Sequence, residues 1–250
     1  MKIVFPELAK NQIAKTACQS FPDVEFVPAT SLEQAITMLE SKAVDSIISG
    51  LDYSSRDVVI ACKDRIPLES QFFSSCFICK KKDQLLALAD GGINKQPNKE
   101  QLYTIVEDTA TTFEHFTNAK PKIAMLSYST YGSGGKNPDL DKIHFVIDRI
   151  RENHPDWIID GEIQLDAAVS PRIATKKTPE SPLEGKANIL ITPDLNSGNI
   201  LYKSLEQFGD FTIAGPIIQG FVVPLADLSR GSTIEDVILT INVLKRLIKG

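Results

Sequence analysis

The sequence has few of the features that mark secreted, membrane or nucleic-acid-binding proteins. Of its 250 residues, only 4 are cysteine and 1 is tryptophan. No apolar run approaches the roughly 20 residues of a membrane-spanning helix. The net charge is −5, so there is no basic excess to attract nucleic acid or an anionic membrane. Pro6 and Glu7 interrupt the apolar start of the chain, which argues against a signal peptide and favours a first strand.

Two of the cysteines have a spacing that invites a zinc or redox interpretation. Cys76 and Cys79 form a Cys-x-x-Cys pair. However, the pair lies in an apolar, strand-like run, no second ligand pair accompanies it, and the three histidines are on separate segments. We therefore predict buried, reduced thiols, no bound metal and a reducing, cytoplasmic location.

What the sequence does contain is an alternation of short apolar runs and amphipathic stretches. Several apolar runs are hydrophobic on both faces, as in a sheet that helices cover on each side. The pattern predicts an α/β fold with largely parallel sheets. The predicted strands are Val44–Ser49, Cys76–Cys79, Leu85–Ala89, Ile123–Ser127, Trp157–Ile159, Ile189–Thr192 and Phe211–Ala214.

Three helices have clear start signals. One follows Asn98, and another follows Asn137, with proline in its first turn. The third is predicted to begin at Ser232, because Ser232 and Glu235 have the spacing of a capping box. That assignment leaves Asp236, one residue further on, to face a cleft.

The chain is long enough for two modest domains, and we place the boundary near Ile66-Pro67. The first sixty or so residues are too few for a full domain, so the last helix is expected to return and complete it. The predicted domains are residues 1–66 with 225–250, and residues 67–224, with a cleft between them.

Three polar segments follow predicted strands, where α/β proteins bind ligands. The first, Ser129–Gly135, is rich in glycine and hydroxyl groups and precedes a helix, as in phosphate-binding loops. The others are Asp160–Ala168 and Thr192–Asn199. Each segment alone also fits an ordinary turn or helix cap.

A fourth segment, Gly215–Asp236, is the densest. It brings Ser229, Arg230 and Asp236 within eight positions, where a loop turns into a helix. A hydroxyl, a guanidinium and a carboxylate together suit the handling of an anion beside a nucleophile. The alternative is a turn serine, a surface arginine and a first-turn carboxylate favoured by the helix dipole.

Together these segments resemble the phosphate acetyltransferase (phosphotransacetylase) family, within the phosphate acetyl/butyryltransferase group. Order and spacing agree from about Val44 to the C-terminus. The matching stretches are Met125–Ser133, Asp160–Ala168, Ser181–Asn199 and Gly215–Asp236, with support from Val44–Gly50 and Leu88–Asn94.

The resemblance implies two three-layer αβα domains with an interdomain cleft, as in isocitrate and isopropylmalate dehydrogenases, and a homodimer. It also implies reversible acetyl transfer between coenzyme A and phosphate, with CoA as a substrate and no permanently bound cofactor or metal. The family motif makes Ser229, Arg230 and Asp236 the catalytic group. The substrate-binding residues it suggests are Ser129, Thr130, Gly132, Ser133, Gln164, Asp166, Asp194, Asn196 and Gln219.

The chain departs from the family pattern in three places. Much of the first domain before Val44 is missing from the match, including a basic anion-binding residue. Ile60 occupies the position of a family arginine, with Arg56 and Lys63 nearby as possible substitutes. Glu162 replaces a usual proline. A diverged, non-catalytic CoA- or phosphate-binding relative is therefore an alternative, and a dehydrogenase is a weaker one, because no metal-binding aspartate cluster or nicotinamide site is evident.

Overall fold

Strands and helices alternate along the chain, as the hydrophobic pattern predicts. A computed structural model describes residues 1–70 and 72–249. The strands of this part are β1 (Lys2–Val4), β2 (Glu25–Val27), β3 (Ser46–Ser49), β4 (Ser74–Lys81), β5 (Gln84–Ala89), β6 (Lys122–Leu126), β7 (Ile158–Ile163), β8 (Ile189–Ile191), β9 (Thr212–Gln219) and β10 (Leu225–Asp227). Its α-helices are α1 (Gln12–Cys18), α2 (Leu32–Glu40), α3 (Ser55–Lys63), α4 (Lys99–Thr117), α5 (Pro138–Asn153), α6 (Leu165–Val169), α7 (Pro171–Lys177), α8 (Leu195–Gly209) and α9 (Ile234–Lys249). All seven predicted strands are confirmed, and the fold is α/β with mostly parallel strands.

The chain divides into two compact units. Unit 1 comprises Met1–Phe73 and Phe211–Gly250, and unit 2 comprises Ser74–Asp210. The sequence prediction placed the return of the chain to the first domain at residue 225, which is too late, because β9 pairs with β10 and packs against α9. These contacts assign residues 211–224 to the first unit, whereas the sequence pattern alone grouped them with the second.

In unit 1 the strand order is β2-β1-β3-β10-β9, parallel except for the pairing of β10 with β9. Helix α9 packs on β9 and α1 packs on α9. The fully buried side chains include Ile3, Phe5, Ile47 and Ile48, so the apolar strands form the core. Strand β10 ends at Asp227, which places the following loop at the carboxyl end of this sheet.

In unit 2 the strand order is β4-β5-β8-β6-β7, parallel except for the hairpin of β4 and β5. Asn98 and Asn137 cap α4 and α5, as predicted, and Pro138 opens α5. Strand β4 buries Cys76 and Cys79, whose thiols are free, and burial raises the pKa of Cys79 to about 12. Among the described residues, no helix is both long and apolar enough to cross a membrane.

Candidate active site

The loop between β10 and α9 carries the serine and the arginine of the densest motif. Ser229 is half-buried, its carbonyl accepts from the N–H of Ser232 at 2.9 Å, and its hydroxyl accepts from the N–H of Gly231 at 3.3 Å. The side chain of Arg230 is exposed and forms no hydrogen bond or salt bridge with any residue that the structure describes. Its guanidinium is thus available to an anion.

The side chain of Asp236 is buried and hydrogen-bonded within unit 1, whereas the sequence predicts that it is free to face a cleft. Only 4% of it is exposed. One carboxylate oxygen accepts from the N–H of Ile213 at 2.7 Å, and the other accepts from the N–H and the hydroxyl of Thr233, both at 2.8 Å. Both oxygens are therefore engaged, and the carboxylate fixes the first turn of α9 to β9.

The predicted capping box at Ser232 and Glu235 is wrong by one residue. The N–H of Asp236 donates to the hydroxyl of Thr233, so these two residues form the reciprocal cap and the helix begins at Ile234. Glu235 is exposed instead. The pairs Ser232–Glu235 and Thr233–Asp236 have the same spacing in the sequence. The second pair forms the cap because Asp236 also accepts a hydrogen bond from β9.

A glycine and a buried glutamate that sequence reasoning missed lie behind the Ser229 loop. Gly50 has φ +113°, and a Cβ there would lie 2.3 Å from the carbonyl oxygen of Leu228. Glu7 is 3% exposed, and one of its oxygens accepts from the N–H of Gly50 at 2.8 Å and from the hydroxyl of Ser49 at 3.1 Å. This turn therefore supports the backbone directly before Ser229.

We expect Gly50→Ala to destabilise the protein by at least about 2 kcal/mol, since it adds backbone strain to a clash with backbone. In a thermal melt this is a decrease of roughly 4–8 °C in Tm. The control is Gly135→Ala, at φ +71° with nothing within 4 Å of its added Cβ, which incurs only the strain. Equal Tm values for the two variants would contradict a supporting role for the Gly50 turn.

The two proposed substitutes for the family arginine lie on one side of α3. Arg56, Ile60 and Lys63 are separated by one and two helical turns, and all three are exposed. Arg65, by contrast, is already used, because its guanidinium pairs with Glu40 of α2. Arg56 and Lys63 thus remain the candidate cations of this helix.

Gln219, the remaining predicted site residue of unit 1, ends β9 and is 4% exposed. The other predicted binding residues belong to unit 2.

The serine–glycine loop of unit 2 uses its donors internally. Ser129 is fully buried, and its hydroxyl lies 2.8 Å from a carboxylate oxygen of Glu162 and accepts from the N–H of Gly134 at 2.8 Å. The N–H of Gly132 donates to the same Glu162 oxygen at 2.6 Å. A phosphate would therefore have to displace a protein carboxylate to reach these two donors.

Thr130 and Ser133 join the loop to the next predicted segment. The N–H of Thr130 donates to the hydroxyl of Ser133 at 3.0 Å, and the hydroxyl of Thr130 accepts from the N–H of Gln164 at 3.1 Å. The structure thus brings the first two predicted segments into contact.

The sequence predicted that the second segment, Asp160–Ala168, lies wholly beyond its strand. The structure shows that its first residues belong to the strand. Strand β7 continues to Ile163, so Asp160 and Glu162 are within it, at 5% and 0% exposure. Asp160 accepts hydrogen bonds from the hydroxyls of Tyr131 and Ser181. Such partners allow carboxylates in a buried strand, which a pattern of apolar residues does not reveal.

A lysine missed by sequence reasoning connects the two predicted site residues after β7. The ammonium group of Lys177, at the end of α7, lies 3.0 Å from the amide oxygen of Gln164 and 2.8 Å from a carboxylate oxygen of Asp166. The hydrogen bond from Lys177 to Asp166 holds the pKa of Asp166 below its usual range. The positive charge of Lys177 therefore offsets the negative charge of Asp166.

A cavity of about 540 Å³ lies beside the carboxyl ends of β6 and β8 in unit 2. Its wall combines leucine, isoleucine and proline side chains with a similar number of polar residues, among them Ser127, Asp139 and Asp194. Lys142 holds two sides together by donating to the carbonyls of Pro97 and Pro193 at 3.2 and 3.1 Å. This size and mixed lining are typical of small-molecule sites.

Asp194 also caps α8, accepting from the N–H and hydroxyl of Ser197, while Asn196 is exposed in the first turn. Of this predicted pair, only Asp194 lines the cavity.

Comparison with known proteins gives a consistent result. The family model described as "Phosphate acetyl/butaryl transferase" matches residues 14–244. The phosphate acetyltransferase of Haemophilus influenzae is 37% identical over 211 residues, which is 82% of this chain but 29% of that protein. That of Clostridium acetobutylicum is 37% identical over 212 residues, covering 82% of this chain and 63% of that protein. The chain thus spans less than a third of the first relative and under two thirds of the second.

Solved structures agree with the sequence relatives. The crystal structure of a phosphotransacetylase from Streptococcus pyogenes has a TM-score of 0.87 and 28% identity, and the match covers 100% of this chain and 94% of that one. The family model alone covers well over half of the residues. The chain therefore belongs to the phosphate acetyl/butaryl transferase family.

Proposed function

We propose that this chain catalyses the reversible transfer of an acetyl, or another short acyl, group between coenzyme A and inorganic phosphate. The observation that carries the proposal is the exposed guanidinium of Arg230 beside Ser229, at the start of α9, in a chain of this family. An uncommitted guanidinium at a loop is suited to bidentate binding of an acyl phosphate.

The chemical step needs a thiolate. A CoA thiol has a pKa near that of cysteine, about 8.5, so only a few per cent is ionised at neutral pH. Asp236 takes the thiol proton in this proposal, after one of its hydrogen bonds, to Thr233 or Ile213, is exchanged. The need for this exchange follows from the full set of bonds on the carboxylate.

The thiolate then attacks the carbonyl carbon of acetyl phosphate. A carbon–sulfur bond forms, the carbon–oxygen bond to phosphate breaks, and phosphate leaves with the bonding electron pair. Arg230 offsets the charge on the phosphate and on the carbonyl oxygen, and Ser229 donates a hydrogen bond to the same oxygen or orients the thiol. The proton held by Asp236 is returned to solvent. Because the thiolate attacks the acyl carbon directly, no covalent enzyme intermediate or bound cofactor is required.

Binding contacts are proposed for the polar residues predicted from the sequence. In unit 2 these are Ser129, Thr130, Gly132, Ser133, Gln164, Asp166, Asp194 and Asn196. In unit 1 Gln219 is added. The cavity beside Asp194 supports a binding role for that part of unit 2.

Four further features implied by the resemblance remain predictions. They are the isocitrate dehydrogenase-like arrangement of two three-layer domains with a cleft, a homodimer, a cytoplasmic location, and CoA and phosphate compounds as the partners. The two compact α/β units support the first of them.

The direct test is to supply purified protein with acetyl phosphate and CoA and to follow thioester absorbance. We expect acetyl-CoA to form, with initial rates that give intersecting two-substrate plots. Propionyl and butyryl phosphate, assayed in parallel, define the acyl preference. CoA binding without thioester at any CoA concentration would support the diverged binding relative instead.

A further inference from the structure

Glu162 is the most fully enclosed carboxylate in contact with the predicted binding loop. Its side chain is 0% exposed. One oxygen lies 2.8 Å from the hydroxyl of Ser129 and 2.6 Å from the N–H of Gly132, and the other lies 2.6 Å from a ring nitrogen of His144. The carboxylate thus connects strand β7, the loop and helix α5.

These contacts determine the charge of Glu162. Burial raises the pKa of a carboxyl group, but the donors from Gly132, Ser129 and His144 outweigh it, so the pKa of Glu162 lies below its usual range. An ionised carboxylate is therefore enclosed beneath the loop at neutral pH. It occupies the place that an anionic ligand would take against Ser129 and Gly132.

Other bonds extend the contact between the loop and Glu162. The Ser129 hydroxyl that contacts Glu162 also accepts from the N–H of Gly134, and the N–H of Tyr131 donates to the backbone carbonyl of Glu162 at 3.2 Å. Loop positions 129, 132 and 134 are thereby connected, directly or through one hydroxyl, to the Glu162 carboxylate, and position 131 is connected to its backbone. Two further contacts hold the loop to β7 and the residue after it: the Tyr131 hydroxyl donates to the Asp160 side chain, and the Thr130 hydroxyl accepts from the N–H of Gln164.

We propose that Glu162 is a positioning residue that presets residues 129–134 for binding of the phosphate-bearing substrate. This inference rests on the proposed transferase function and names a part of its binding site. The loop binds a phosphate group, carried either by acetyl phosphate or by CoA, through the hydroxyls of Thr130 and Ser133, because Glu162 itself occupies the donors of Ser129 and Gly132. With Glu162 present the loop is already ordered, so substrate binding does not have to order it.

The test compares wild type with Glu162→Ala and Glu162→Gln. The first readout, hydrogen exchange of the 128–135 backbone without substrate, is independent of turnover. The second readout is KM and kcat, determined separately for acetyl phosphate and for CoA. Glu162→Met, which keeps the volume but accepts no hydrogen bond, replaces the alanine variant if that variant does not fold.

We expect faster exchange of the loop in Glu162→Ala. Because the substrate must then order several residues, KM for one of the two substrates should rise about 10–100-fold, while kcat stays within about threefold. The substrate whose KM responds identifies the one that the loop binds. Glu162→Gln keeps the oxygen that faces Ser129 and Gly132, and should restore both readouts to within about threefold of wild type.

The matched control is Glu107→Ala. Glu107 forms the other glutamate–histidine pair of unit 2, with His154 at 2.7 Å, and also accepts from the hydroxyl of Tyr103. Its removal should lower Tm without changing loop exchange or either KM.

Unchanged loop exchange in Glu162→Ala, or faster exchange with both KM values unchanged, would overturn the proposal. If wild type shows no turnover, the proposed function fails separately, and dissociation constants for CoA and inorganic phosphate take the place of KM. In that case a dissociation constant that is equal in wild type and Glu162→Ala for both ligands overturns the positioning role.

Discussion

Asp236→Asn should reduce kcat by about 10²–10⁴-fold, which is the usual contribution of a general base. The structure adds that the variant should also be less stable. Asp236 accepts three hydrogen bonds from Ile213 and Thr233. An asparagine amide would turn its NH₂ toward one of these donors, at a cost of about 1–3 kcal/mol. For a chain of this size, a Tm lower by roughly 2–12 °C is expected.

The loss of turnover and the loss of stability in Asp236→Asn can be separated with Thr233→Ala. That variant removes the capping hydroxyl, at a cost of about 1 kcal/mol, and keeps the carboxylate. Both variants are assayed well below their melting temperatures, with kcat and Tm measured on the same samples. A kcat for Asp236→Asn close to that of Thr233→Ala would assign the aspartate to the helix cap alone and remove it from proton transfer.

Much of the fold could be predicted because its long elements follow simple periodicities. The seven predicted strands are apolar runs, and α4 and α5 begin at asparagine caps. Strands β2 and β10 were not predicted, and each is only three residues long. Helix α8 was also missed, since Ile200 and Phe208 are 66% and 89% exposed and obscure its amphipathic pattern.

The sequence indicated candidate site residues but not their bonding. Sequence motifs indicated Ser129, Arg230 and Asp236, because hydroxyl, guanidinium and carboxylate groups in loops suggest chemistry. The motifs did not indicate that Asp236 bonds to β9, or that Glu162 lies beneath Ser129. Both contacts join residues more than twenty positions apart, so only the fold brings them together.

Arg230→Ala should lower kcat/KM for acetyl phosphate by about 10²–10³-fold, as expected when a group that stabilises developing charge is removed. It should change stability by less than about 0.5 kcal/mol, because the side chain is exposed and bonds to no residue that the structure describes. Inorganic phosphate should also become a weaker inhibitor of thioester formation. The measurements are two-substrate kinetics, phosphate inhibition and thermal unfolding.

Two variants make this prediction specific. Arg230→Lys keeps the charge but not the planar fork, so it should recover only part of the lost activity if binding is bidentate. Arg246→Ala removes an exposed arginine further along α9 and should leave kcat/KM unchanged. Loss of activity in both alanine variants would indicate a general effect of net charge. Full activity in Arg230→Ala would refute anion binding at this loop, and the case for acyl transfer by this chain would then rest on its family alone.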